Sequence, residues 1–228
     1  MKSRHAQFSP RSQAYRLQVR LFSPCVYYSP VVLDSLVAYC LNKESASRPF
    51  YTGPGWNNHG IWQTLRETIW QDSDCSVCTE FLPASEPVRF LESIKKRFEQ
   101  RYQHLVDFGK GRKRKINTSA APYRGYNKPM PAVAVGAGSW HFIGDGPRVL
   151  ELVGKWAVGV GKDVNAGFGW IDSAECTESD WTREKILAHR PTPVQLARRY
   201  GITGRTELRA WRPPYWSSKN IAPCIVGA

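Results

Sequence analysis

The amino-acid sequence predicts an α+β fold, and three observations support this prediction. A strand pattern at 15–22 is followed at once by a helix pattern at 31–41. Farther along, strand-like runs at 132–144 flank a glycine turn and precede a helical segment at 147–159. The two halves therefore share an order of strand, helix and strand, although no sequence repeat of fixed period is visible.

The first strand is predicted from alternation. In YRLQVRLF, which begins at Tyr15, apolar residues alternate with basic or polar ones, as is typical of a strand with one buried face. The segment VVLDSLVAYCL, from Val31 to Leu41, then places its apolar residues at helical spacing. Together these segments predict a βα unit at the start of the fold.

The middle of the chain is predicted to hold an insertion and a helix. Residues 42–85 are rich in turn-forming residues and are interpreted as an insertion on the core. For residues 86–108 we predict a helix, because five apolar residues share one helical face. These residues are Phe90, Ile94, Phe98, Tyr102 and Leu105.

A strongly basic segment follows at 109–131, and repeated glycine and proline predict a hairpin or an extended loop there. A run of this kind is often only a solvated surface. Here aromatic residues alternate with cations directly after it, a combination suited to single-stranded nucleic acid. The candidate binding residues are Lys110, Arg112, Lys113, Arg114, Lys115, Tyr123, Arg124, Tyr126 and Lys128.

The overall charge indicates an anionic partner. The 228 residues carry a formal net charge of +13, which favours nucleic acid over a membrane surface because no basic amphipathic helix stands out. No stretch of about 18 apolar residues exists, so a membrane span is not expected. The polar residues 1–13 are expected to be a flexible N-terminal segment without a secretory signal. Residues 14–228 are expected to form one domain. A cytoplasmic location is expected.

The six cysteines do not form a convincing metal motif. Cys75 and Cys78 make one CxxC, but no second CxxC or HxxxH follows. A zinc site would need spatial partners such as Cys40 or His59. We therefore expect no cofactor and no bound metal.

A glycine-rich segment, GVGKDVNAGFGW from Gly159 to Trp170, carries the functional prediction. Glycines permit tight turns and close backbone approach, and exposed amides beside Lys162 suit a phosphate group. Asp163 follows the lysine where a P-loop needs Ser or Thr. The segment also follows a helix and precedes a strand, which is the reverse of a Rossmann fingerprint. An RNA backbone is the remaining phosphate ligand, and a turn needed only for packing is the alternative.

The pattern GxGKxxxxGFGxI, between a helix and a strand of a basic protein, resembles the glycine-rich loop of RAMP proteins of class 1 CRISPR systems. The segments FGKGRKRKINTSAAPYRGY, WHFIGDGPRVLELVGKW and RPPYW are similar to the type IV effector subunit of the Cas-five family. The resemblance covers most of the chain from Tyr15 onward. It implies a ferredoxin-like, RRM-related RAMP core with an inserted thumb-like hairpin and an irregular C-terminal extension.

The resemblance also implies a function. Such a subunit of an antiviral ribonucleoprotein grips the 5′ handle of the crRNA and contacts the backbone and large subunits near the target DNA. On this basis the residues expected against the RNA backbone are Gly161, Lys162, Gly167, Phe168 and Gly169. Arg112 to Lys115 would follow phosphates, and Tyr123, Arg124 and Tyr126 would stack on bases.

Two alternatives stay open. A Cas-six-type endoribonuclease would need a general base and a general acid. The candidates are His59, in the loop GWNNHG, and His141, in a strand run. His141 is better explained as a core residue. A general basic RNA-binding protein outside CRISPR is the second alternative. The segment QLARRYGITGRTE has the rhythm of a helix-turn-helix, although surface or packing structure explains it better. We favour the non-catalytic subunit.

Overall fold

The computed structural model describes residues 13–27, 31–45, 58–96, 125–215 and 217–227. In these ranges the strands are β1 (Ala14–Leu21), β2 (Cys25–Val26), β3 (Gln71–Asp72), β4 (Cys75–Ser76), β5 (Leu82–Pro83), β6 (Val88–Lys96), β7 (Tyr126–Ala134), β8 (Ala137–Ile143), β9 (Ile171–Ser179), β10 (Thr192–Pro193), β11 (Arg205–Ala210) and β12 (Ile221–Val226). The α-helices are α1 (Leu33–Ser45), α2 (Asn58–Thr68), α3 (Gly146–Trp156), α4 (Arg183–Ala188) and α5 (Val194–Arg199).

The largest sheet has four strands in the order β5–β8–β1–β9, and each neighbouring pair is antiparallel. Along the chain, α1 lies between β1 and β5, and α3 connects β8 to β9. The two helices pack against each other on one face of the sheet. The prediction of a mixed α and β protein is confirmed, and its sheets are antiparallel.

The main core lies between this sheet and the two helices. The alternation predicted for β1 is confirmed, because Leu17 and Val19 have no exposed surface. Trp140 and Phe142 of β8 are equally buried beside them, and burying each such side chain contributes roughly 2 kcal/mol. The Trp140 indole N–H donates to the Val31 carbonyl at 2.8 Å, so its polar atom has a partner inside the core.

Helix α3 begins where the local sequence provides a cap. The Asp145 side chain accepts a hydrogen bond from the Arg148 backbone N–H at 2.9 Å. Pro147 occupies the first turn, where its missing N–H costs nothing. The helix then buries Val149 and Leu152 against the sheet, as the predicted apolar spacing requires.

The helix predicted for residues 86–108 is wrong for its first part. Residues 88–96 form β6, which pairs antiparallel with β7 over nine residue pairs from Val88↔Ala134 to Lys96↔Tyr126. Phe90 and Ile94 lie four residues apart, a spacing that satisfies a strand period of two as well as a helical turn. The remainder of the predicted helix lies outside the described residues.

A second sheet is built around this pair, in the order β2–β7–β6. The short strand β2 pairs with the far end of β7 through Cys25↔Val133 and Val26↔Ala132. Since β2 follows β1 by only a few residues, the second sheet adjoins the end of the first.

The region 42–85, interpreted as an insertion, contributes directly to the core at its C-terminal end. Strand β5 forms the edge of the main sheet against β8. Phe81, only 2% exposed, packs on Trp140 with ring centroids 4.9 Å apart. Cys78 is fully buried and forms a β-bridge with Phe142.

The C-terminal part is more regular than expected. It holds the three-stranded antiparallel sheet β10–β12–β11, where an irregular extension was predicted. The helix-turn-helix alternative, which the sequence disfavours, does not occur here, because α5 is followed by a turn at Gly201 (φ +65°) and then by strand β11. Charged residues occupy exposed positions in β11, which hides the alternation of a strand in the sequence.

A buried ion pair ties this C-terminal part to α1. Arg190 lies 3.4 Å from Asp34, and both side chains are completely buried. The Tyr215 hydroxyl donates to Asp34 at 2.7 Å, while Arg190 also donates to the Ser76 carbonyl at 2.6 Å. Because buried charges are tolerated only when they are paired and hydrogen-bonded, these contacts fix the position of the C-terminal segment.

Within the described ranges, every helix is too short or too polar to cross a lipid bilayer.

Candidate nucleic-acid interface

The glycine-rich segment lies between α3 and β9, as predicted, and is held against β2. The Lys162 backbone N–H donates to the Val26 carbonyl at 2.7 Å, and the Gly169 N–H donates to the Pro24 carbonyl at 2.9 Å. Val160 is fully buried in the main core. The loop is therefore fixed at one end to β2 and at the other to the residue directly before β2.

The loop also closes on itself. The Val160 N–H donates to the Gly169 carbonyl at 2.8 Å, and Gly159 forms a β-bridge with Trp170. A short 3₁₀ turn, Val164–Ala166, forms its tip. These contacts give the loop one defined shape before any ligand binds.

Two of the glycines are required by close backbone approach, as the sequence predicted. Gly161 has φ +92°, and a Cβ atom there would lie 2.5 Å from the Val26 carbonyl oxygen. Gly169 has φ +64°, and its Cβ would lie 2.0 Å from the Val160 carbonyl oxygen. By contrast, a Cβ on Gly167 (φ +94°) would meet no atom within 4 Å.

Part of the phosphate cradle expected from the sequence is closed by hydrogen bonds inside the protein. The N–H groups of Val160, Lys162, Gly167 and Gly169 all donate to carbonyl oxygens of the protein itself. The exposed Lys162 side chain can also meet a phosphate. Holding the loop against β2 and the residue before it uses the N–H groups of Lys162 and Gly169, so these two groups are not open to a phosphate.

Phe168 has a packing role in this arrangement. Its half-buried ring forms a small cluster with Val26 of β2 and Phe90 of β6. The cluster links the glycine-rich loop to the strand pair β6–β7, and so it positions the loop on the second sheet.

The basic segment is joined to the same sheet. Lys110, Arg112, Lys113, Arg114, Lys115, Tyr123 and Arg124 lie outside the described residues. Tyr126 and Lys128 lie on β7, opposite Lys96 and Ile94 of β6, but their side chains are not described. The basic segment leaves the β6–β7 ladder at Tyr126, and β2 pairs with β7 at Ala132. At ~3.4 Å per residue these two points lie about 20 Å apart.

Two exposed aromatic residues, which sequence reasoning did not select, lie beside the loop. Phe22 is 78% exposed and Trp170 is 44% exposed. The Phe22 N–H donates to the Trp170 carbonyl at 2.8 Å. The sequence gives little indication that they are exposed. Phe22 ends the alternating strand pattern, and Trp170 is the last residue of the glycine-rich segment.

The histidines offer little to a nuclease within the described part of the chain. His141 is 8% exposed, stacks on Trp181 at 3.8 Å between centroids, and has Nδ1 2.8 Å from Ser179 Oγ. Burial, helped by nearby cations, lowers the pKa of His141 to about 4, so the ring is neutral at pH 7. His59, expected in a loop, lies instead in the first turn of α2, and its side chain is not described.

The cysteines of the CxxC are buried and serve packing. Burial raises the pKa of Cys75 to about 11 and raises that of Cys78 well above its ordinary value. The Cys78 sulfur accepts a hydrogen bond from Arg190 at 3.3 Å. No group of three or more metal-ligating side chains occurs among the residues that the structure describes.

A cleft of about 710 Å³ lies on another part of the surface, between α2 and the segment before β12. It is lined by Trp62 and by three cations, Arg66, Arg212 and Lys219. Arg66 is ion-paired with Asp74, and Arg212 lies 3.6 Å from the same carboxylate. Because Asp74 already neutralises two of the three cations that line the cleft, the cleft is a poor site for an anion and is not part of the proposed interface.

Comparison with known proteins gives one family. A family model described as CRISPR type IV associated protein Csf3 matches residues 13–226. No curated protein matches the chain. The matched range includes the glycine-rich loop, the basic segment and all of the sheets described above.

Proposed function

The chain belongs to the Csf3 family of CRISPR type IV associated proteins, and from this premise we propose that it is a non-catalytic, RNA-binding subunit of a type IV ribonucleoprotein. In this proposal it holds the 5′ handle of the crRNA. It also contacts the backbone and large subunits of the complex, close to the target DNA.

The strand order supports a ferredoxin-like, RRM-related core of the RAMP type. Read from the edge, the main sheet runs β9–β1–β8–β5, with α1 after β1 and α3 after β8 on one face. This is the arrangement of a β-α-β-β-α-β unit with its fourth strand beside its first. RRM domains use the same scaffold to bind single-stranded RNA. The pair β6–β7 then forms the base of the inserted thumb-like hairpin.

One observation carries the proposal: two segments suited to binding phosphate are attached to the same small sheet. The glycine-rich loop is pinned to β2, and the basic segment leaves the ladder of β6 and β7, which pairs with β2. An RNA strand passing along this sheet would meet cations at both ends. The whole-chain charge of +13 provides the long-range attraction.

Each candidate residue has a role in this proposal. Lys162 and the cations between Lys110 and Lys115 contact phosphates. Gly167 leaves open space for the RNA backbone, while Gly161 and Gly169 let the loop pack closely against the protein so that it is presented to the RNA in one position. Phe168 fixes the loop on the sheet. Tyr123, Arg124, Tyr126 and Lys128 lie against bases or riboses near the hairpin.

A lack of catalysis is the simplest reading of the histidines. Cleavage through a 2′-OH needs a base that exchanges protons near neutral pH and can reach the RNA. His141 is buried, and its low pKa removes it from that range. We therefore propose that the subunit holds RNA and leaves processing to another protein.

Co-expression tests the proposal. The chain, expressed with the other proteins of its complex, should recover a uniform small RNA with one common 5′ sequence. Recovery of only random RNA would contradict handle binding. Incubation of the purified chain with labelled repeat RNA should give no cleavage, and specific cleavage abolished by His59→Ala would assign the protein to the nuclease class.

Salt dependence tests the role of the basic run. Replacing Arg112, Lys113, Arg114 and Lys115 together by Gln should lower the slope of log K against log salt by about three, at ~0.7 per phosphate contact on a single strand. Arg205→Gln is the control for loss of an exposed charge elsewhere, because the Arg205 side chain is 78% exposed but lies on β11 in the sheet β10–β12–β11. An unchanged slope in the quadruple variant would identify the run as a solvated surface.

A further inference from the structure

Phe22 and Trp170 are exposed aromatic residues on two neighbouring backbone segments. They are 78% and 44% exposed. Phe22 comes directly after β1 and Trp170 directly before β9, beyond the pair Leu21↔Ile171. The Phe22 N–H donates to the Trp170 carbonyl at 2.8 Å, so the two backbones lie side by side.

The orientation of Trp170 is fixed from within the loop. Its indole N–H donates to the Val164 carbonyl at 2.8 Å, and its backbone N–H donates to Ser23 Oγ at 3.0 Å. On its other side it is bridged to Gly159, which adds no side chain next to the ring. Because the polar atom of the indole is turned to the loop, its exposed part presents mainly π surface to solvent.

Exposed cations lie close to the two aromatic residues in the chain, two residues before Phe22 and within the loop that ends at Trp170. The Arg20 side chain is 72% exposed and lies 3.9 Å from Asp172, a distance at which an exposed pair is weak. Lys162 is exposed on the same loop. Flat rings among cations are the combination that binds single-stranded nucleic acid, since bases stack on the rings while phosphates meet the charges. An apolar protein partner would not need this charge.

We propose that Phe22 and Trp170 form a stacking platform for unpaired nucleobases of single-stranded RNA, continuous with the glycine-rich loop. This inference rests on the proposed RNA-binding function and names the residues that meet bases at the loop end of the interface. The platform recognises the π face of a base, so it tolerates different sequences.

The test measures affinity of the full chain for two fluorescent probes of equal length. One is single-stranded oligoadenylate, and the other is an abasic oligoribonucleotide with the same number of phosphates. Phe22→Ala and Trp170→Ala should each weaken oligoadenylate binding about 5-fold to 150-fold, the range measured for loss of one stacked base. Binding of the abasic probe and the salt slope should stay unchanged, because no phosphate contact is lost.

Conservative variants separate stacking from other apolar contact. Phe22→Tyr keeps a flat ring and should retain wild-type affinity, whereas Phe22→Leu keeps only apolar volume and should behave like Phe22→Ala. Leu208→Ala is the matched control, because Leu208 is 73% exposed on β11 and should not affect either probe.

The outcomes distinguish this inference from the proposed function. If the wild-type chain binds neither probe, the RNA-binding proposal fails and the platform fails with it. If the wild type binds oligoadenylate and the ring variants bind it equally well, only the platform is overturned. Loss of a co-purifying protein subunit in the ring variants, with RNA affinity intact, would assign the surface to a protein partner and overturn the inference as well.

Discussion

Replacing Gly169 by alanine should destabilise the protein through the close contact between the glycine-rich loop and its surroundings. Gly169 has φ +64°, and its new Cβ would lie 2.0 Å from the Val160 carbonyl oxygen. The neighbouring atom is backbone, so it cannot move aside as a flexible side chain would. The substitution must therefore displace the loop.

The size of the effect follows from what is lost. The left-handed conformation costs a residue with a side chain about 1–2 kcal/mol. Displacement also weakens the bonds from Gly169 N–H to Pro24 and from Val160 N–H to Gly169, each contributing about 1 kcal/mol. We expect a decrease of about 3–4 kcal/mol in the free energy of unfolding.

Gly167→Ala is the matched control. Gly167 has φ +94°, but its Cβ would meet no atom within 4 Å, so only the conformational cost of about 1–2 kcal/mol applies. In urea, with a slope of about 2 kcal/mol/M, the midpoint of Gly169→Ala should lie about 1 M below that of Gly167→Ala. Equal midpoints for the two variants would refute the close-contact argument.

Three further perturbations test other parts of the structure. Asp34→Asn leaves the buried Arg190 without its counter-charge and should reduce the free energy of unfolding by about 3–5 kcal/mol in urea titrations; a loss below 1 kcal/mol would contradict the buried pairing. Gly154→Ala, inside α3 with no atom within 4 Å of its Cβ, should raise the urea midpoint, corresponding to about 0.5–1 kcal/mol of added stability. The pKa of His141 is lowered from 6.5 to about 4, so the unfolded chain takes up the proton first and stability is lost as pH falls from 6.5 to 4. His141→Gln should flatten the fall in urea midpoint between pH 7 and pH 5. An equally steep fall in the variant would show that the His141 ring titrates normally. Some pH dependence should remain in the variant, because the pKa of His189 is also lowered, mainly by burial.

Local patterns in the sequence determined several parts of this protein correctly. The alternation around Leu17 and Val19 identifies β1, and the apolar spacing after Pro147 identifies α3. The order of helix, glycine-rich loop and strand is also as predicted, and Gly161 and Gly169 make the close approaches that glycine permits. These features depend on residues within one turn or one strand of each other, so the chain itself carries their signal.

Contacts between distant residues decided the rest. A spacing of four between Phe90 and Ile94 fits either a helix or a strand. The partner strand β7 decides between them, and it begins more than 30 residues later at Tyr126. The Lys162 N–H points into the protein because the Val26 carbonyl of β2, more than 130 residues earlier, accepts its hydrogen bond. The hydrogen bond that places the exposed Phe22 beside Trp170 likewise joins residues far apart in the sequence. Burial and hydrogen-bond pairing of this kind are properties of the packed chain, and no local pattern of residues encodes them.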